Sequence, residues 1–218
     1  MDTAPARPPL PIAVLISGSG STLLNLLEHC ADGRLAARVV GVAASRDCSG
    51  LEHAQRFGVP AEVVPRGKPF DLEDFSARMT ALLDRWRPEL ICFGGFLSMY
   101  LPPPQYAGRI LNIHPALLPG FGGPGMYGDK VHEAVLASGA KISGCSVHLV
   151  DAQYDHGAII AQRVVPVLES DDVHSLGERV RSAERELYPE VVGWFAEGRV
   201  SIGADGKLRV AGRDLLQP

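Results

Sequence analysis

The sequence predicts an α/β domain, an open and mostly parallel twisted sheet with helices on both faces, followed by a C-terminal hairpin. Three observations carry that prediction. Short apolar, β-branched runs alternate with helical patterns of roughly ten to fifteen residues through the first half of the chain, the rhythm of right-handed βαβ crossovers. The runs at 12–16 (IAVLI) and 90–94 are almost continuously apolar, as strands covered on both faces are. A Gly/Ser turn follows the first run and leads straight into a helical pattern.

In order, 12–16 reads as a buried strand and 22–31 as a helix. A strand at 39–44 precedes a helix near 50–57, and a strand at 61–64 precedes a long amphipathic helix over 72–86. Strands at 90–94 and 109–114 complete a set of five. After Pro119 the pattern changes. A Gly-rich loop at 120–128 leads to a helix near 130–138, two strand-like runs at 145–150 and 158–167, and a long helix near 173–197. Residues 200–202 and 208–210 flank Ala204-Asp205-Gly206 and read as the terminal hairpin. The expected organisation is a loose tail over 1–10, one domain over 11–199, and the hairpin with its tail over 200–218.

A chain of 218 residues, 46% of them hydrophobic, suits one domain with a well-buried core. Its net charge of -4 argues against non-specific nucleic-acid binding. Cys30, Cys48, Cys92 and Cys145 show no CxxC spacing and no histidines at zinc-ligand intervals, so reduced thiols and no metal are expected. No apolar run approaches the ~20 residues of a membrane span. Residues 1–11, rich in Pro and Ala, hold no apolar stretch of signal-peptide length. A cytoplasmic enzyme, free of nucleic acid and membrane, is the expectation.

Four places carry candidate chemistry. Ser17-Gly18-Ser19-Gly20-Ser21-Thr22 joins the first strand to the first helix. Glycines there let the backbone approach a ligand, helix N-terminal amides favour an anion, and Ser21 or Thr22 can cap the helix. A dinucleotide fingerprint fails, because Leu23 stands where its third glycine belongs, and no Gly-Lys-Ser/Thr supplies a Walker loop. One phosphate on a small ligand fits better, with a plain capped turn as the bland alternative.

The second place is Leu111-Asn112-Ile113-His114-Pro115. Period-two alternation puts Asn112 and His114 on one face of a strand, and Pro115 keeps His114 extended at the strand's C-terminal end, where ligands collect in open α/β sheets. An amide donor beside an imidazole can stabilise an oxyanion and move a proton. The third is the loop Asp151-Ala152-Gln153-Tyr154-Asp155-His156-Gly157. A carboxylate there can face the imidazole, and its residues leave Asp151 and Asp155 as equal candidates. The fourth, Arg181 and Glu184, shares a helix face and by itself reads as a surface ion pair.

Taken in order, these motifs with Tyr188-Pro189 and Trp194-Phe195 resemble the phosphoribosylglycinamide formyltransferases over about residues 11–199. The resemblance implies a Rossmann-like, formyltransferase-type fold, 10-formyltetrahydrofolate as cosubstrate, no metal, and a monomer or homodimer. It implies direct attack by the glycinamide amine of a phosphoribosylglycinamide on the formyl carbon. Asn112 would hold the formyl oxygen and a protonated His114 the oxyanion. Asp155 would keep His114 charged and help pass a proton from the amine. Gly20, Ser21 and Thr22 would take the substrate phosphate, and Arg181 and Glu184 the rest of the phosphoribosyl glycinamide. The folate would lie between Leu97-Ser98-Met99-Tyr100 and the Asp151, Ala152, Gln153, Tyr154, Asp155 loop.

This chain departs from the family pattern in four places. Thr22 stands where Asn is usual, Ser98 where Arg is common, and Leu72 where an Arg often meets the folate tail. The last two bear on tail recognition and leave the reaction centre untouched. The glycine-rich 122–128 stretch is longer than in many relatives, which suggests a flap over the substrate. Formyltetrahydrofolate deformylases and methionyl-tRNA formyltransferases share the Asn-x-His-Pro run, but each adds a domain for which no counterpart is expected here. A non-catalytic folate- or nucleotide-binding module is a further alternative, set against the retention of Asn112, His114 and Asp155.

Overall fold

The computed structural model describes residues 7–203 and 208–212. Most of the expected N-terminal tail, and the turn Ala204-Asp205-Gly206, lie outside the described residues. The chain enters the sheet at Leu10, two residues before the apolar run, because Leu10 and Pro11 pair with Ala37 and Arg38.

Strand β1 (Leu10–Ile16) is followed by α1 (Ser21–Ala31), β2 (Ala37–Ala44), α2 (Leu51–Arg56), β3 (Ala61–Val63) and α3 (Leu72–Trp86). Next come β4 (Leu90–Phe93), β5 (Ile110–His114), α4 (Asp129–Ser138), β6 (Ile142–Leu149), β7 (Ile159–Pro166) and α5 (Val173–Ala196). The strands order as β3-β2-β1-β4-β5-β6-β7. Strands β3 to β5 in that order run parallel, and β6 and β7 add antiparallel at one edge. The predicted hairpin is present as β8 (Val200–Ile202) paired antiparallel with β9 (Leu208–Val210).

From β1 the chain winds outward through β2 and β3, then returns to place β4 on β1's other side. The order therefore reverses between β1 and β4, and their carboxyl ends flank a crevice in which open α/β sheets bind ligands. Alternation along β1 sends Ile12, Val14 and Ile16 to the α1 and α5 side, with Leu23, Leu26 and Val180. Ala13 and Leu15 go to the α3 side, with Phe75, Met79 and Leu83. Burial on both faces accounts for the unbroken apolar run.

Helix α5 runs through Pro189, a residue that removes one helical hydrogen bond and frees the carbonyl four positions back. That carbonyl, of Arg185, accepts instead from Asn25 Nδ2 of α1 at 2.8 Å. Beside it, the buried Tyr188 hydroxyl lies 3.0 Å from the carbonyl of Phe93 and 3.1 Å from that of Leu111, which ties α5 to β4 and β5 directly beneath the crevice.

Candidate active site

A cleft of about 460 Å³ opens at the carboxyl ends of β1, β4 and β5. Strand β5 delivers Asn112 and His114 on one face, as alternation requires, and both side chains reach Asp155 on the loop after β6. Asn112 Nδ2 lies 3.5 Å from Asp155 Oδ1, and His114 Nδ1 lies 3.5 Å from Asp155 Oδ2. Asp151 pairs instead with the exposed His156 at 2.7 Å. The loop geometry thus separates two carboxylates that the residues alone leave equal. Gly157 makes this approach fit, since a Cβ there would stand 1.9 Å from the carbonyl oxygen of Leu149. Asp155 itself takes a left-handed backbone, φ 52°, which turns its carboxylate inward.

His148 joins the centre without having been singled out from the sequence. It stands on β6, directly opposite Asn112 across the β5–β6 pair. Its Nδ1 lies 2.8 Å from the carbonyl of Leu149, which only accepts, so the proton sits on Nδ1 in the neutral ring. Nε2 then accepts from Asn112 Nδ2 at 3.0 Å and orients the amide. On the other side, His114 Nε2 donates to the carbonyl of Phe121 at 2.8 Å, which leaves its Nδ1 facing Asp155. The Gly-rich loop is tied to the centre a second time, because the amide of Gly123 donates to Asp155 Oδ2 at 2.9 Å.

Burial is the largest influence on His114 and lowers its pKa, while the Asp155 charge and the Phe121 carbonyl raise it without prevailing. Burial therefore favours the neutral imidazole. Burial also works against the Asp155 carboxylate. The neighbouring His148 ring 3.6 Å away, His114 to the extent that it carries a proton, and the Gly123 amide outweigh it, and Asp155 is held below the usual carboxylate range. A base and a carboxylate whose environments oppose one another are suited to passing a proton between them.

At the β1–α1 turn, neither Ser21 nor Thr22 caps the helix. The N-cap is Gly20, in a left-handed conformation with φ 70° and no side-chain cap bond. The first intrahelical bond runs from Leu24 N to Gly20 O, so the amides of Ser21 to Leu23 keep no acceptor within the helix. Ser21 and Thr22 line the cleft, and Gly20 serves as the turn behind them. An uncapped helix N-terminus at a cleft wall favours an anion.

Arg181 and Glu184 also line the cleft, but not as a pair, because Arg181 bonds Glu178 at 2.7 Å. Burial pushes the Glu184 carboxyl up to about 7, against the opposing charges of Arg181 and Arg185. A carboxyl raised in the folded state contributes stability below its unfolded pKa and loses it as pH rises through about 7. The Glu184→Gln variant lacks that titration. Its melting midpoint relative to the parent is expected to rise by a few degrees between pH ~5 and ~8 in thermal scans of the ligand-free protein. A constant difference across that range would count against this reading of Glu184.

Of the residues expected to meet folate, Leu97, Ser98, Met99 and Tyr100 line one side of the cleft, and Asp151, Gln153, Tyr154 and Asp155 the other. Ala152 is exposed on the loop and not in the wall. Among the described residues no three His, Cys, Asp or Glu side chains are grouped to hold a metal ion. No described helix is long and apolar enough to cross a membrane. Burial pushes the Cys92 and Cys145 thiols up to about 12.

A polar Asn-His-Asp centre and an uncapped helix N-terminus share one cleft at the switch point of a parallel sheet, an arrangement suited to group transfer. The chain belongs to the formyl transferase family, whose profile matches residues 10–192, and it is a one-carbon group transferase. The particular relatives it is similar to are the phosphoribosylglycinamide formyltransferases. The chloroplastic one of Arabidopsis thaliana is 40% identical over 200 residues, 89% of this chain and 68% of that protein. That of Mycobacterium tuberculosis is 40% identical over 202 residues, 92% of this chain and 89% of the other. The crystal structure of glycinamide ribonucleotide transformylase 1 from Symbiobacterium toebii superposes with a TM-score of 0.83 at 38% identity, over 92% of this chain and 93% of that one. The chain spans 19% of the length of the trifunctional purine biosynthetic proteins that it also matches.

Proposed function

We propose that this enzyme transfers the formyl group of 10-formyltetrahydrofolate to the glycinamide amine of 5'-phosphoribosylglycinamide in purine (IMP) biosynthesis. The observation that carries the reading is the convergence of Asn112, His114 and Asp155 in the same cleft as the uncapped turn at Ser21 and Thr22. The turn takes the acceptor's phosphate, Arg181 and Glu184 take its ribosyl glycinamide part, and the folate lies between Leu97-Ser98-Met99-Tyr100 and the 151–155 loop.

The amine attacks the formyl carbon, a C–N bond forms, and the formyl oxygen becomes an oxyanion facing the Asn112 amide. Burial disfavours the His114 imidazolium, and in this reading the reaction generates it. The proton released from the attacking nitrogen passes by way of Asp155 to His114 Nδ1, where a contact between a lone pair and a carboxylate becomes an ion pair beside the oxyanion. On collapse the carbonyl re-forms, the bond to folate N10 breaks, and N10 takes up the proton. Preorganised donors in a partly desolvated site act strongly on such developing charge.

The test is the absorbance change on loss of the formyl group from 10-formyltetrahydrofolate, with and without the ribonucleotide. The reading requires that the loss depend on the ribonucleotide. Equal loss without it would identify water as the acceptor and a deformylase instead.

A further inference from the structure

Ser17 opens the turn that ends in Ser21 and Thr22, yet unlike them it is not part of the cleft wall. It follows the last residue of β1, and the pairing of Ile16 with Ala44 sets Ser45 beside it just past the end of β2. Both serines are buried, Ser17 being 2% exposed and Ser45 4%. A hydroxyl in such a place costs stability unless it is bonded, and alanine would fill the position without that cost. The Ser17 hydroxyl is bonded twice. It lies 2.8 Å from the Ser45 hydroxyl, and it accepts from the backbone amide of Leu97 at 3.0 Å.

That second bond reaches across the crevice, from the acceptor's turn after β1 to the wall after β4. The wall is pinned at its far end to α3, where the Tyr100 hydroxyl lies 2.8 Å from Thr80 Oγ and the amide of Leu101 donates to Ser76 Oγ at 3.0 Å. At the Leu97 end the pin is Ser17. The backbone of the turn is held by other groups. The carbonyl of Ser17 accepts from Arg46 Nε at 2.6 Å, and that of Gly18 accepts from the amide of Gly50 at 3.1 Å. Loss of the hydroxyl therefore frees one end of the Leu97–Tyr100 wall and leaves the turn braced.

We propose that Ser17 is a positioning residue for the folate, although it stands in the turn that takes the acceptor's phosphate; this rests on the folate reading above. Its hydroxyl fixes the Leu97 backbone, and with it the wall against which the folate lies. A residue of one substrate's turn thus sets the affinity for the other.

The test is steady-state kinetics of Ser17→Ala for both substrates, with titration calorimetry of ribose 5-phosphate reporting on the turn alone. The KM for 10-formyltetrahydrofolate is expected to rise about three- to tenfold, the worth of one hydrogen bond. A wall that holds substrate and transition state alike acts on KM, so kcat and the KM for the ribonucleotide should stay within about twofold of the parent. Ribose 5-phosphate should bind as it does to the parent. Ser45→Ala leaves Leu97 its acceptor and removes only the second bond of Ser17, so the folate KM should rise by a smaller factor. If Ser17→Ala does not fold, Ser45→Ala decides, and an unmoved folate KM there overturns the role. An unchanged folate KM in a folded Ser17→Ala protein overturns it too, as do equal rises in both KM values with a lowered melting temperature, which would mark Ser17 as a residue of the fold at large. A parent that takes no formyl group from 10-formyltetrahydrofolate removes the folate reading and this role together, whereas an active parent with an unmoved variant removes the role alone.

Discussion

The Asp155→Asn variant is expected to lose about 10²–10⁴ of kcat, the range of a positioned acid–base group, while keeping its fold. Asparagine accepts the left-handed backbone at φ 52° more readily than most residues, and its amide oxygen can still accept the Gly123 N–H that ties down the loop. What is lost is the negative charge. Asp155 is the main influence raising the pKa of His114 against burial, so without it the imidazole is driven further toward its neutral form. The limb of the kcat–pH profile belonging to His114 should therefore move to lower pH as the rate falls. A pH series of kcat checks both, and parental turnover with an unmoved profile would remove Asp155 from the proton path.

Asn112→Ala is expected to lower kcat by about 10²–10³, the usual effect of removing one oxyanion donor, with a smaller change in the KM of either substrate. The amide is positioned from both sides, by His148 Nε2 at 3.0 Å and by Asp155 Oδ1 at 3.5 Å. His148 fixes the amide through one N–H, while the other makes only the long 3.5 Å contact with Asp155 and can exchange it for the developing oxyanion. Interactions realised only in the transition state appear in kcat and not in KM. Steady-state kinetics for both substrates decide the point. A kcat within a factor of about five of the parent would place the oxyanion elsewhere, since one preorganised donor is worth far more than that.

Much of this architecture is legible in the residues, for reasons that can be named. Helix α3 lies over Leu72–Trp86 as predicted, because both of its ends are local. The Asp71 side chain accepts from the amides of Glu73 and Asp74, and Arg87 closes the helix in a left-handed conformation. Asn112 and His114 share a face because a strand has period two, and no tertiary information is needed for that. The start of β6 is less legible. The strand begins at Ile142, three residues before the apolar run, with Ser143 and Gly144 held by pairing with Val165 and Val164 and not by their own preference.

The parts of the site that escape the sequence are the non-local ones. His148 matters only because register sets it opposite Asn112, and nothing within β6 itself signals that. Asp155 is separated from Asp151 by one left-handed residue and by the close approach of Gly157 to Leu149. The resting state of His114 depends on the balance of burial against one carboxylate, which no motif encodes. Arg181 turned to Glu178 and not to Glu184, two partners that helical spacing allows equally.

The most direct measurement follows the formyl carbon itself. 10-Formyltetrahydrofolate bearing a labelled formyl group is mixed with unlabelled phosphoribosylglycinamide and excess enzyme, and the label is followed through one turnover. Direct transfer predicts that every label leaving the folate appears on the glycinamide nitrogen, in step with the tetrahydrofolate formed, and that none leaves when the ribonucleotide is omitted. Label appearing as free formate, at a rate indifferent to the ribonucleotide, would contradict the account at its centre.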